Sequence, residues 1–276
     1  GDINFQNESD QINYEIYKNK NEINFYTKLN ISKNPVDLEF LNYKKNKNSN
    51  LELIFKGKNN FKNQFVFNEI SLKEKNNLIS VKELKLSNKK KINSLDRINL
   101  NYVDEEGFNN NLKIIKKKNK YLVTGDRFNI NYIIDELLNL NSKKKLKLFR
   151  NNFKILFDVE NVYLDKDNKI NNLVGFLSLN KNEISELILD SKFANQESIK
   201  FTIKDNGKEK VTTLYSYKAK PFVDRYKFIK GFEEGDLDFY SINKEGITSS
   251  LLKIDNFKIQ EIPVLAKLLT LASLQG

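Results

Sequence analysis

From Ile23 to Phe257 the chain alternates apolar and polar residues with a period of two, run after run. Clear cases are Ile23, Phe25 and Leu29; Leu51, Leu53 and Phe55; Phe65 and Phe67; Phe153, Ile155, Phe157 and Val159; Leu177 and Leu179; Leu187 and Leu189; Ile199, Phe201 and Ile203; Leu237 and Phe239; and Leu252, Ile254 and Phe257. Successive side chains of an extended chain point to opposite faces, so each run predicts a β-strand with one apolar and one polar face. Clusters of Asn, Lys, Asp and Gly bound the runs, as in DKDNK at 165–169, KDNGKEK at 204–210 and NKEG at 243–246, and these residues favour turns. Roughly fifteen such segments are present, against about four to six strands in a usual sheet.

Three segments break the rhythm. In 126–140 (DRFNINYIIDELLNL), Tyr132, Ile133, Leu137, Leu138 and Leu140 recur at helical spacing. In 220–232, Pro221 stands where a helix opens and Gly231 where it closes, and in 262–276 Pro263 again takes a first-turn position. The expected class is therefore mostly β: a long, curled or twisted antiparallel sheet with about three short α-helices at its margin. Helices this short cover only part of the apolar face, and a sheet of more than about ten strands curls, splits or closes on itself. An open apolar groove, a sandwich or closed barrel, and a β-solenoid all meet that demand. Barrel closure asks for regular strand length and shear, which inserted helices disturb. A soft boundary near residue 120 separates a strand-only part, 1–119, from a part punctuated by helices, 120–276, within one continuous elongated piece.

Composition removes chemistry rather than adding it. The 276 residues include no His, Cys, Met or Trp, which excludes a thiolate nucleophile, an imidazole base, a Cys/His zinc site and a disulfide. Glu233, Glu234, Asp236 and Asp238 are the one dense carboxylate cluster singled out. Asp236 and Asp238 fall on the strand face opposite Leu237 and Phe239, where solvated charges ordinarily sit. No catalytic residue, metal or cofactor is expected. Without an initiator Met at Gly1 the chain is expected to be a processed piece of a longer product.

The net charge is +11, a balance that suits nucleic acid or an anionic membrane surface. Lys, however, is spread over turns along the whole length (44–50, 87–94, 116–120, 142–147), and Arg occurs only at Arg97, Arg127, Arg150 and Arg225. A nucleic-acid reader concentrates Arg and aromatic residues on one face. No nucleic-acid partner is expected, and a basic interaction module or a purely structural sandwich stands as the alternative reading.

The C-terminal third carries a more specific signal. SYKAKPFVDRYKFIKGFEEGDLDFYS (216–241) and TSSLLKIDNFKIQEIPVLAKLLTLASLQG (248–276) together resemble the C-terminal region of the AsmA-like proteins, of the YhdP type found in Gram-negative bacteria. The pieces that carry the resemblance are the helix, glycine and strand from Phe228 to Phe239, the I-D-x-F strand from Ile254 to Phe257, and P-x-L-A-x-L-L-x-x-A-S-L-x-G from Pro263 to Gly276. The resemblance covers about 120–276; residues 1–119 match only in style. It implies bacterial bridge-like lipid transfer: a long periplasmic β-groove, anchored to the inner membrane through a segment not present here, that moves phospholipid toward the outer membrane without chemistry. The heavy Lys and Asn load departs from the family's pattern.

On that resemblance, the acyl-chain floor comprises Phe153, Ile155, Phe157, Leu177, Leu179, Leu187, Leu189, Phe201, Ile203, Leu237, Phe239, Leu252 and Ile254. The same side chains would form the closed core of a sandwich if a second layer covered them. The terminal motif helix presents Pro263, Leu265, Leu268, Leu269 and Leu271; it is shorter than the roughly 20 apolar residues a membrane span needs, so it is expected to plug or line one end of the sheet.

Overall fold

A computed structural model describes residues 1–5, 8–60, 64–87, 91–132, 152–180, 183–226 and 230–259. The terminal helix, with Pro263, Leu265, Leu268, Leu269 and Leu271, lies outside them, as does the expected helix 126–140 from residue 133 onward. The chain is mostly β and forms two compact units, Gly1–Ile184 and Ser185–Gly276.

In the first unit the strands are β1 (Asp2–Phe5), β2 (Glu8–Lys18), β3 (Glu22–Ile31), the two-residue β4 (Asp37–Leu38) and β5 (Tyr43–Lys44), β6 (Leu51–Asn60), β7 (Gln64–Glu74), β8 (Asn77–Ser87), β9 (Ile92–Ser94), β10 (Arg97–Val103), β11 (Asn109–Lys117), β12 (Lys120–Asn129), β13 (Phe153–Tyr163) and β14 (Lys169–Asn180). Antiparallel pairing runs β1, β2, β3, β6, β7, β8. β8 then pairs at one end with β9 and at the other with β10, so these two short strands share one lane. The pairing continues through β11 and β12 to β13 and β14.

One pairing departs from the expected all-antiparallel sheet: β12 and β13 are parallel, with Tyr121 opposite Ile155 and Val123 opposite Phe157. The sheet is mixed. Asn129 ends β12 at one end of the strands and Phe153 begins β13 at the other, a connection that alternation cannot reveal. The segment 126–140 is also corrected at its start, since 126–129 belong to β12 and helical backbone begins only at Asn131.

Bulges interrupt the ladders in rows. Lys56 faces Glu69 and Gly57 faces Phe67, leaving Asn68 without an opposite residue on β6. On β8 the matching irregularity is Glu83, at φ 52°, whose carboxylate accepts from Asn68 Nδ2 at 2.9 Å. A second row joins Gly125 and Asp126 on β12 to Glu160 on β13 and Asn172 on β14, the last at φ 54°. Each extra residue bends its strand and raises the local twist. Two glycines make the close approaches possible: a Cβ on Gly57 would fall on the Val66 carbonyl oxygen, and one on Gly125 on that of Asn111.

The connection between β3 and β6 folds back over one end of this sheet and supplies its tightest core. Tyr43 and Leu51 are fully buried there beside Ile31 and Tyr102, with the two tyrosine rings edge to face at 5.9 Å. Two carboxylates hold the excursion. Asp10 accepts from the backbone N–H groups of Ser32, Lys33 and Asn34 at 2.9–3.1 Å. Fully buried Glu74 accepts from the Tyr43 hydroxyl at 2.6 Å, the Asn46 N–H at 2.9 Å and the Ser49 hydroxyl.

The second unit is an antiparallel meander of β15 (Glu183–Lys192), β16 (Ser198–Asp205), β17 (Glu209–Ser216), β18 (Phe232–Lys244) and β19 (Ile247–Ile259). Between β17 and β18 lies helix α1 (Lys220–Tyr226), the one α-helix that lies wholly among the described residues, where the sequence predicts about three in the chain. Pro221 opens it as its fixed φ favours, and Gly231 follows at φ 67° before β18. Val223 of α1 is buried against Ala219, Phe232 and Leu237, with Leu214, Phe222, Phe239 and Ile254 packed around them.

Candidate functional site: an apolar sheet face

The registers decide which apolar side chains share a face, because residues directly opposite in a ladder point the same way. In the first unit Phe153 faces Leu179, Ile155 faces Leu177 and Phe157 faces Gly175. All five expected floor residues of this unit therefore lie on one face. Across the parallel pair, Tyr121 and Val123 extend the same face onto β12, and from there it passes through Ile114 on β11 to Ile98 on β10 and Val81 on β8.

In the second unit Leu187 faces Ile203 and Leu189 faces Phe201; Phe201 faces Leu214, Leu214 faces Phe239, and Phe239 and Leu237 face Leu252 and Ile254. The eight expected floor residues of this unit again occupy a single face. Leu214, missed by the sequence reading because its neighbours Thr212, Thr213, Tyr215 and Ser216 dilute the alternation, completes that row.

Coverage of these faces is uneven along the strands. In the second unit Leu237, Leu187 and Ile203 are buried, Leu189, Phe201, Phe239 and Ile254 are half-buried, and Leu252 is 44% exposed. Burial is deep at both ends of this row, at Leu237 beneath α1 and at Leu187 and Ile203 toward the β18–β19 hairpin, and shallowest in the rung between them. In the first unit Phe153, Ile155, Phe157, Leu177 and Leu179 are all half-buried, whereas Val159 and Val162, further along β13, are buried. Edge-to-face aromatic pairs occur on this face: buried Tyr121 with half-buried Phe153 at 5.4 Å, and Phe25 with Phe67 at 5.6 Å. Among the described residues, the most extensive contacts between elements are those of sheet neighbours, followed by those of α1 with β18.

The opposite face of the first unit is polar and laced with ion pairs. Lys28 meets Glu52 at 2.5 Å, Lys58 meets Glu22 at 2.9 Å and Lys82 meets Glu69 at 2.5 Å. Such exposed pairs contribute little, about 0–1 kcal/mol each, but they keep this side wet. The acidic cluster is dispersed in the same manner. Glu233 pairs with Lys220, Glu234 with Lys258 at 2.6 Å, and Asp236 accepts from Asn256 Nδ2 at 2.9 Å. Among the described residues no three acidic groups are placed to hold a metal ion.

The strongest electrostatic perturbations sit at the covered end of the first unit. Burial pushes the Asp10 carboxyl up, but the N–H groups of Lys33, Ser32 and Asn34 and the Asn34 amide outweigh it and hold the group well below its ordinary range. Glu74 is balanced the same way, burial opposed by Ser49, Tyr43, Asn46 and Asn77, with a net lowering. Burial and the Glu74 carboxylate push the Tyr43 hydroxyl well up. Both carboxylates are anionic acceptors saturated by donors, an arrangement that fixes loops and leaves no free lone pair aimed at a substrate.

No family model matches the chain, and neither a curated protein nor a solved structure matches it.

Proposed function

We propose that the apolar faces bind lipid acyl chains and that the protein is a non-enzymatic carrier or conduit for phospholipid. The observation that carries this reading is the half-burial of in-register apolar residues: Phe153, Ile155, Phe157, Leu177 and Leu179 in one unit, and Leu189, Phe201 and Phe239 in the other. A face of this kind favours a ligand that is itself apolar and shapeless, since it offers area without directional polar groups. A chain of sixteen methylenes with half its surface covered gains about 6 kcal/mol at about 0.8 kcal/mol per methylene. That suffices to hold a lipid while leaving it free to move along the face. The resemblance to AsmA-like proteins supports the same reading and adds a setting, the periplasm between the inner and outer membranes of a Gram-negative envelope, with anchoring through a segment beyond this sequence.

Native mass spectrometry of the purified chain tests the proposal. Phospholipid adducts are expected on the wild-type chain, reduced in Phe157→Asp/Leu177→Asp of the first unit and lost when Phe201→Asp/Phe239→Asp of the second unit is added, with circular dichroism unchanged. A lipid-free wild-type chain that also takes up no lipid on incubation with detergent-solubilised phospholipid overturns it.

A further inference from the structure

The polar face of the first unit contains a region that is not polar. One rung of the sheet crosses six lanes in register as Lys82, Arg97, Ile115, Leu122, Leu156 and Phe176. Four adjacent strands thus set a row of apolar side chains on the face opposite the proposed lipid floor, with two cations at its head. The neighbouring lysine rung runs Lys117, Lys120, Lys154 and then Ser178. Like charges directly opposite in a ladder are destabilising, yet three lysines stand in a line and none meets a carboxylate among the described residues. Lys154 lies 3.3 Å from the centre of the Phe176 ring, tying the two rungs together. At the head of the apolar row Lys82, Arg97 and Ile115 also line an open cavity of ≈ 730 Å³, whose other lining residues are Glu83, Asp96, Lys118 and Lys116, the last of these on the floor face opposite Tyr121.

We infer that this face is a docking surface for an anionic phospholipid bilayer. Charge complementarity selects an anionic partner, for Arg97, Lys117, Lys120 and Lys154 stand in the two rungs of this face with no carboxylate partner among the described residues, while Lys82 is paired with Glu69. The aliphatic row selects a bilayer over other polyanions: apolar side chains settle at the boundary of head groups and acyl chains while lysines reach the phosphates. A nucleic-acid face would instead present Arg and stacking aromatics, and here Arg97 is the only Arg in the two rungs. This surface is the reverse of the apolar floor, so the inference stands independently of lipid carriage: a lipid-free chain could still adhere to membranes.

Vesicle co-sedimentation of the full chain provides the test. The wild type is expected to bind vesicles of phosphatidylcholine with 30% phosphatidylglycerol and not pure phosphatidylcholine, with binding lost in high salt. Lys117→Glu/Lys120→Glu should weaken partitioning by more than roughly thirtyfold, since loss of the two lysines alone costs about fivefold each near the surface and the new carboxylates add repulsion. Lys204→Glu/Lys253→Glu, which changes net charge equally in the second unit, should bind as wild type. Because the chain contains no Trp, Leu122→Trp supplies a single reporter whose emission should shift to the blue on anionic vesicles. Equal losses in both charge-reversal variants, equal binding to neutral vesicles, an unshifted reporter, or a single-stranded oligonucleotide that outcompetes the vesicles at matched charge each overturn the inference.

Discussion

Replacing Glu74 by Ala tests the most unusual local arrangement in the molecule, a fully buried carboxylate encircled by donors. The substitution removes the acceptor of the Tyr43 hydroxyl and the Asn46 N–H and one of the two acceptors within reach of the Ser49 hydroxyl, which keeps the Asn46 carbonyl at 2.9 Å, and Tyr43 and Ser49 are themselves buried. Each buried donor left without a partner costs about 1–3 kcal/mol. Relief of the carboxylate's own desolvation offsets part of the sum, which leaves an expected loss of about 3–5 kcal/mol. Glu74→Gln keeps one carbonyl acceptor, and the two hydroxyls can turn to accept from its amide, so about 1–2 kcal/mol is expected there. Urea unfolding followed by far-ultraviolet circular dichroism gives the totals. Hydrogen exchange of the β6, β7 and β8 amides places the loss in the first unit, a needed check because a chain of two units need not unfold in one step. Tyr43→Phe should cost less in the Ala background than in the wild type, since its hydroxyl has already lost its acceptor. An Ala variant within 1 kcal/mol of the wild type, or one no worse than the Gln variant, would refute the claim that this carboxylate fastens the β3–β6 excursion.

Acid should weaken the same end of the sheet. The folded-state pKa values of Asp10 and Glu74 are both lowered, so their stabilisation is complete above the ordinary carboxylate range near about 4, begins to decline below it and is lost as pH falls on through the lowered folded-state values; urea midpoints should hold from pH 7 to 5, drop below 4, and drop less steeply in Asp10→Asn. Gly125→Ala should cost about 1–3 kcal/mol through overpacking, its new methyl meeting the Asn111 carbonyl and lying 2.7 Å from Leu112 Cδ2. Gly107→Ala, at φ +88° in open space, should cost about 1–2 kcal/mol from backbone strain alone, and a thermal-melt comparison in which its methyl relieves rather than strains the turn would contradict this. Val223→Ala should cost about 2 kcal/mol by opening a cavity beneath α1, read as faster exchange of the α1 amides with β15 and β16 unaffected.

The strands were legible because one-sided burial writes itself into sequence at period two, and the turns because their backbone demands particular residues. NKEG is a case in point: Glu245 and Gly246 sit at φ 53° and 83°, joining β18 to β19 where the sequence places a turn. The single-face placement of Phe153, Ile155, Phe157, Leu177 and Leu179 followed for the same reason. The parallel β12–β13 pair did not, since alternation records which way a side chain points and nothing about the neighbouring strand. Glu74 and Asp10 look like surface acids until the loop that donates to them is folded into place, more than twenty residues away for both. The bulges at Asn68, Glu83 and Asn172 leave no sequence mark because a polar residue at a bulge resembles one on the wet face. Residues such as Leu122 and Leu156 belong to strands apolar on both faces, which blurs the period and conceals the lysine-flanked row.

The meander from β15 to β19 joins each strand to the one synthesised just before it, so no pairing in the second unit has to wait for a distant stretch of polypeptide. Loop closures this short cost little entropy and are made early. A ribosome would release this unit as a zipper that advances hairpin by hairpin, and the interval in which its oily surface lacks a neighbour, the dangerous one for aggregation, would be brief.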